Sequence, residues 1–520
     1  MTAQLLERHG INHLLFERRE RPMQHPRAMG MTRRSGEIFR QLGLGTAIQQ
    51  GHFAYPDQLL GLWSKGLTGE VLGQIPLPGG QSPLSPCPIL HCPQTVSESV
   101  LWDCFHQAKH GKAYLGHDVN ALREEGDHVY LSVTHGDKTI EVVADYVVAA
   151  DGAASPTRHF LGIETQGPGD MGHFLNIYFE ADYAPLLEDR RAYLYNTFHA
   201  EGFEVFVSVD GGRRWLMHHF LMNGEKPEDY SLSRLTELIR QASGHPDIPV
   251  NILGVNPWVM SPKCAVKLRA GRVFLTGDAA ARLSPAGGLG LNTGIQSAHN
   301  LAWKLAAVIK GLADDALLDS YNDERLPVGA ATMGNTNENA REVFQVVDLA
   351  MQGRWDEVRE KLTHSRRAKA GLGQDLGTAY SQGAFYPDDS PDRQADDCIN
   401  NYCPDARPGM RAPHLFLEKN GDRISILDTF LPNSFTLVTG DKTTLQPPAT
   451  LPLQTVVIGQ TGWHDTEGRF PGDYGIEPDG AVLVRPDGYV AARLRTGSAV
   501  KGDAWLERAL QSLGWRDQRA

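Results

Sequence analysis

One stretch limits the fold of this 520-residue chain more than any other: Gly271 to Gln296, Gly-Arg-Val-Phe-Leu-Thr-Gly-Asp-Ala-Ala-Ala-Arg-Leu-Ser-Pro-Ala-Gly-Gly-Leu-Gly-Leu-Asn-Thr-Gly-Ile-Gln. Its apolar start, Arg272 to Thr276, predicts a buried strand that delivers Asp278 at its C-terminal end, where a carboxylate can accept hydrogen bonds from a polyol. Gly287, Gly288 and Gly290 then let the backbone come close to a flat or phosphorylated ligand, because no Cβ stands in the way. A long helix is predicted from about Asn292 to Lys310, its free N–H groups aimed at that ligand. Strand, glycine loop and helix in this order belong to an α/β fold. Taken alone, the segment also fits a strand, a turn and an ordinary core helix, since Ile295, Ala298, Leu301, Leu305 and Val308 make an apolar stripe.

The remaining pattern supports an α/β chain with inserted and appended parts. Thr2 to His9 reads as a helix stopped by Gly10, and Asn12 to Phe16 as a strand ending in Glu17, as in the second half of a β-α-β unit. The first strand and glycine turn of that unit are expected just upstream of Met1. Helices are predicted at Ser35 to Leu42 and Thr95 to His110. A hairpin is predicted from Val129 to Val133 and Ile140 to Val148 around Gly136-Asp137, its second strand running straight into Asp151-Gly152. From about His173 to Met260 the pattern turns to β-type alternation, with one helix near Leu232 to Ala242, which predicts a separate inserted sheet. Arg366 to Pro408 is polar and reads as a linker, and a smaller α/β unit follows from Gly409.

Composition removes several classes of function. Lys plus Arg is 50 against 62 for Asp plus Glu, a net charge of -12 that leaves no basic field for nucleic acid. The apolar run Leu301 to Ala313 is broken by Lys304 and Lys310, well short of a membrane span. Six cysteines (Cys87, Cys92, Cys104, Cys264, Cys398, Cys403) without a leader sequence favour free thiols in the cytoplasm. Neither Cys87 with His91 and Cys92, nor Cys398 with Cys403, has the spacing of a zinc knuckle, so no metal is expected.

Gly271 to Ala306, including Ala298-His299-Asn300-Leu301-Ala302-Trp303-Lys304-Leu305, resembles the second FAD motif of the class A flavoprotein monooxygenases, the aromatic hydroxylases. Val147 to Arg158, with Asp151-Gly152-Ala153-Ala154-Ser155-Pro156-Thr157-Arg158, resembles the Asp-Gly motif of that family, associated there with FAD and NAD(P)H. Glu17 sits where the family binds the adenosine ribose, Arg27 of His25-Pro26-Arg27 where an arginine contacts the cofactor, and Gln94 of Pro93-Gln94 where a helix opens beside the flavin side chain. Arg407 to His414 and Leu483 to Ala491 resemble the thioredoxin-like C-terminal domain of the phenol and polyketide hydroxylase branch, here without a Cys-x-x-Cys. Read singly, Glu17 and Arg27 also fit solvated surface charges, and Asp151 the cap of a turn.

The resemblance implies a Rossmann-like FAD-binding domain in two parts (1–172 and 263–365), a β-rich substrate domain at 173–262, a linker at 366–408 and a thioredoxin-like domain at 409–520. It implies FAD held by Glu17, Arg27, Gln94, Asp151, Asp278, Gly287, Gly288, Gly290, Leu291 and Asn292. NADPH or NADH is implied as a transient reductant, and O₂ as the oxidant acting through a flavin C4a-hydroperoxide on a phenolic or polyketide-type ring. The positive end of the helix near Asn292 would favour the charge that develops on a reduced flavin. Pro285 is the candidate contact for the substrate hydroxyl or peroxide through its backbone carbonyl. A homodimer is compatible with this reading.

Tyr178, His218 and His219 are conceivable phenol partners, but adjacent strand residues face opposite ways, so at most one histidine points inward. The chain departs from the family at Ala154, Ala281 and Ser284, which bears on flavin movement and NAD(P)H handling. A start placed too late is the simplest account of the missing Gly-x-Gly-x-x-Gly; were these 520 residues the whole product, FAD binding is expected to be weak or absent. A non-hydroxylating flavoprotein and a flavin-free relic are the alternatives.

Overall fold

The computed structural model describes residues 1–52, 59–76, 82–222, 224–365, 371–390, 399–445, 447, 453–496 and 502–516. Its cofactor half is a parallel sheet in two pieces. His13–Glu17 runs parallel to Gly111–Leu115, and Val147–Ala149 runs parallel to Val273–Leu275. Among the described residues no strand joins these ladders, and the cleft between them is lined by Leu14, Phe16, Val147, Val148 and Ile309. The helix Thr2–Arg8 lies along the helix Gly290–Ile309, with Leu5 packed on Leu42, Ala298 and Ala302.

Several local expectations change where distant contacts intervene. The second hairpin strand does not run on into Asp151: Lys138–Ala144 pairs with His128–His135, and the chain then turns so that Val147 donates its N–H to Arg272 O at 3.0 Å. A third strand, Asp118–Glu125, completes that small antiparallel sheet. The helix expected to reach His110 spans Gln94–Phe105, because the Glu7 carboxylate takes the N–H groups of Lys109 at 2.7 Å and His110 at 3.0 Å.

The β-rich part is a seven-stranded sheet in the order Asn251–Met260, Gly172–Glu180, Arg214–Leu221, Gly202–Ser208, Ala192–His199, Leu59–Lys65, Val71–Pro76. Two strands therefore come from the stretch assigned on sequence to the cofactor domain, which corrects the 173–262 boundary. Leu59–Lys65 joins by parallel pairing with Ala192–His199. One face is sealed by the helix Leu232–Ser243, whose Leu235, Leu238, Ile239 and Ala242 pack on Leu175, Ile177, Phe179, Trp215 and Met217. Each fully buried Leu or Ile there contributes roughly 1.5–3 kcal/mol. With a strand period of two, that face fixes what the other presents: Asn176 and Tyr178, and Leu216 and His218, turn toward the cofactor half.

A 33-residue helix, Asp319–Met351, carries Pro327 in its interior and spans about 50 Å. Tyr321 near its start donates to Leu275 O at 2.8 Å, while Val346 and Ala350 near its end pack with Trp63, Leu72, Val358 and Leu362. No described helix is long and apolar enough to cross a membrane.

The C-terminal unit has the mixed four-stranded sheet Leu453–Ile458, Phe435–Gly440, Ala481–Val484, Val490–Leu494, with only the first pair parallel. Leu506, Ala509 and Leu510 of the helix Gly502–Ser512 pack with its Leu437 and Leu483 and with Trp303 and Ala307 of the helix Gly290–Ile309. The stretch read as a linker is largely built into the structure where it is described: Leu376, Tyr380, Ala384, Tyr402 and Ala406 are buried, and Tyr386 donates its N–H to Ala491 O at 2.7 Å. Residues 366–370 and 391–398, Cys398 among them, lie outside the described residues. Cys87, Cys92, Cys104, Cys264 and Cys403 are free thiols, and the described residues contain no cluster suited to a metal.

Candidate active site

The strand Val273–Leu275 ends at Thr276, and Gly277 turns the chain with φ 59° so that Asp278 opens into a cavity of about 2390 Å³. Asp278 itself is exposed to that cavity. Desolvation pushes its pKa above the usual carboxylate range, against the attraction of Arg27 and Arg282. Arg282 is itself held by Ser261 O through its Nε.

The glycine loop has the shape its composition implies. Gly287 (φ 144°) and Gly288 (φ 65°) occupy the left-handed side of backbone space, which a side chain would strain. An added Cβ at Gly152, Gly277, Gly288 or Gly290 would meet no protein atom within 4 Å, leaving open cavity where a ligand can lie against the main chain. The helix Gly290–Ile309 starts here, with Gly290, Leu291 and Asn292 on the cavity wall. The Asn292 side chain is buried and engaged: it donates to Gly30 O (3.1 Å) and Gly288 O (2.9 Å) and accepts from Thr32 N (2.9 Å). It therefore ties the loop to the N-terminal segment.

Pro285 faces the cavity, but its carbonyl already accepts the N–H groups of Gly287 at 2.8 Å and Gly288 at 3.0 Å. With both lone pairs taken, a contact from that oxygen to a substrate hydroxyl requires one of these bonds to open. Asp151 lines the same cavity while serving as a cap: it accepts from Ser155 Oγ at 2.6 Å and Thr157 N at 2.9 Å. Ser155 sits at φ 25°, an unusual value for a residue with a side chain, so this motif holds local strain beside the cavity. Arg158 donates to Ala279 O at 3.0 Å and Ala153 O at 3.1 Å, bolting the Asp-Gly turn to the Asp278 turn.

Glu17 lies at the far end of the cavity, 35% exposed, with Oε1 accepting from Arg19 N at 2.9 Å. Arg27 and Gln94 are on the wall, and Gln94 N donates to Ala28 O at 2.7 Å, which fixes the start of its helix. Pro285 and the ten residues assigned on sequence to the cofactor thus all border one cavity.

The opposite wall holds groups that sequence reasoning missed or left open. His218 lines the cavity, whereas His219 turns away into a closed set, with Nδ1 2.8 Å from Glu204 Oε1 and Nε2 2.7 Å from the Tyr230 hydroxyl. Tyr178 stands behind His25, ring centroids 5.5 Å apart, and is not on the wall. Asn176, Tyr193 and Trp258 are on it and were not foreseen. The one available signal for Asn176 is a polar residue at an alternate position of an apolar strand.

Comparison with known proteins supplies the family. The FAD binding domain family matches residues 1–336, and the aromatic-ring hydroxylase C-terminal family matches residues 405–513. Tetracenomycin A2 monooxygenase-dioxygenase of Streptomyces glaucescens is 33% identical over 95% of this chain and 91% of its own length. 4-Methyl-5-nitrocatechol 5-monooxygenase of Burkholderia sp is 32% identical over 95% of this chain and 92% of its own. Among solved structures, the flavin-dependent monooxygenase PieE, in complex with FAD and substrate, superposes with a TM-score of 0.91 at 28% identity, covering 98% of this chain and 96% of that one. Aklavinone-11 hydroxylase, in a ternary complex with FAD and aklavinone, gives 0.84 at 27% identity, covering 99% and 96%. The open glycine cradle, the helix start and the cavity-facing carboxylate fit such a cofactor, and the chain belongs to the FAD-dependent aromatic-ring hydroxylases.

Proposed function

We propose that this chain hydroxylates a phenolic or polyketide-derived aromatic ring, with NADPH or NADH as reductant and O₂ as the oxygen source. The observation that carries the reading is a single cavity running from the Asp278 turn and glycine loop to the Asn176–His218 wall. Its volume of about 2390 Å³ takes in the space between the Asp278 turn and that wall together with the cleft between the two parallel ladders. The named activities of the relatives, on tetracenomycin A2 and on a nitrocatechol, support an aromatic substrate.

FAD, when bound, supplies the redox chemistry by which electrons from the nicotinamide activate O₂. The chain's own residues bind and orient. Asp278 would accept from the ribityl or ribose hydroxyls, Glu17 from the adenosine ribose, and Arg27 would place a cation beside the cofactor. The glycines admit the ring system against the main chain, and the N–H groups of the first turn at Gly290–Asn292 offer partial positive charge to electron-rich oxygen. On the far wall Leu194, Val207, Leu216 and Met260 present apolar surface that excludes water from the reacting ring.

The test is direct. The purified chain is assayed for bound flavin and for NAD(P)H oxidation with and without a phenol, and the product is weighed after reaction under ¹⁸O₂. Incorporation of one labelled oxygen into the ring supports the reading. Flavin-containing protein whose NAD(P)H oxidation ignores phenols and yields no labelled product refutes it.

A further inference from the structure

We propose that Asn176 and His218 form a hydrogen-bonding pair that receives a ring hydroxyl of the aromatic substrate and selects for it. The inference rests on the hydroxylase reading above and adds the group by which substrates are told apart.

Asn176 and His218 are direct partners in adjacent antiparallel strands, so their side chains stand side by side on one face. That face lines the cavity. Leu194, Val207 and Leu216 lie toward one side and Trp258 toward the other, with Asn256 as the partner of Asn176 in the next strand and His25 close by. Asn176 is 8% exposed, and its Oδ1 has no hydrogen-bond partner; His218 Nδ1 is also buried and without one. Native interiors seldom leave such atoms unpaired, and the neighbouring His219 is paired through both ring nitrogens. Both residues line the cavity, and His218 keeps part of its surface open there, so the group within reach of the pair is a cavity occupant.

The chemistry of that occupant follows from the pair. Burial, together with the nearby His25, lowers the His218 pKa to about 4, so the ring is neutral at neutral pH and carries one donor and one acceptor. A neutral imidazole beside an amide suits a hydroxyl, which both donates and accepts, better than an anion. Trp258 gives the shape: it lies flat on Phe174 (4.7 Å between centroids, 13° between planes) and meets the His218 ring nearly edge-on (6.3 Å, 79°). A planar ring entering here meets an aromatic wall with a hydrogen-bonding pair beside it. A site built to bond a hydroxyl rejects the analogue that lacks it, because its own polar atoms are then left unpaired.

Binding of 1,8-dihydroxyanthraquinone and of its dimethyl ether to the full chain, followed by tryptophan fluorescence quenching, tests the pair. The wild type is expected to prefer the hydroxylated probe at least tenfold. His218→Phe and Asn176→Leu are each expected to lose most of that preference while keeping the affinity for the ether, which also reports an intact pocket. His218→Asn, which retains a donor and an acceptor, is expected to restore part of it. No preference in the wild type, or a preference that survives both apolar substitutions, would overturn the proposal. Flavin content and phenol-stimulated NAD(P)H oxidation are measured on the same samples. A probe preference that depends on the pair in protein that does not hydroxylate would sink the hydroxylase reading while leaving the recognition pair standing.

Discussion

Two groups of buried polar side chains, one at the domain junction and one on the cavity wall, have opposite hydrogen-bond accounts. At the junction, Glu324 receives Lys304 Nζ (2.8 Å), Arg485 Nη1 (2.7 Å) and Nη2 (2.9 Å) and the Ala384 N–H (2.7 Å), while Asp487 accepts from Arg485 Nε at 2.9 Å. Two cations face two anions there, all essentially inaccessible to solvent. On the wall, Asn176, His218 and Trp258 each keep an atom with no partner. The first group was completed by folding, across the long helices and the C-terminal sheet. The second group lines the cavity, where the pairing proposed above would complete it.

The sharpest way to break this contrast is to remove the junction's central anion. Glu324→Ala leaves Lys304 and Arg485 buried without it and is expected to cost about 3–5 kcal/mol of stability, read by chemical denaturation. A loss under about 1 kcal/mol would mean the junction is not the bolt it looks like. Acid titration sharpens the same point. Desolvation would raise the Glu324 pKa, but Arg485 and Lys304 outweigh it and hold the carboxyl down to about 2. A lowered folded-state pKa contributes stability that is present above the ordinary 4.5 and is lost as pH falls through about 2. Unfolding midpoints measured between those limits should fall steeply in the wild type and less in Glu324→Gln.

On the cavity side the expected losses are in ligand affinity, with folding left nearly intact. Asp278→Ala should weaken FAD roughly ten- to a hundredfold, the worth of a hydrogen bond to a charged acceptor, with the denaturation midpoint of the flavin-free protein unchanged. Flavin retention equal to the wild type, by absorbance after gel filtration, would remove Asp278 from the site. Glu17→Ala should act in the same direction but less, because this carboxylate is partly solvated and already accepts from Arg19. An affinity indistinguishable from the wild type would leave Glu17 as a surface charge.

What the sequence discloses and what it hides follow the range of the contacts involved. Strand, turn and helix from Gly271 to Gln296 are local, and glycines at positive φ announce themselves by type. Leu59–Lys65 gave no such notice, since its partner Ala192–His199 lies far along the chain and its own residues do not alternate cleanly. Asp118–Glu125 is mostly exposed and charged, so it lacks the two-residue pattern of a half-buried strand. Strand parity said that only one of His218 and His219 points inward. It took the packing of Trp215 and Met217 against the helix Leu232–Ser243 to decide which. The Pro285 carbonyl was legible as an acceptor, whereas its prior engagement by Gly287 and Gly288 was not.

The helix Asp319–Met351 has a mechanical consequence. One end is pinned to the strand that delivers Asp278, through Tyr321, and the other to the outer strands of the large sheet, through Val346 and Ala350. It acts as a ruler whose graduations are turns. Adding one residue between those anchors would advance the far end by about 1.5 Å and swing it through about 100°. Length in this segment therefore sets how far the large sheet stands from the Asp278 turn, and insertions or deletions there alter the working distance of the enzyme even though they touch no ligand.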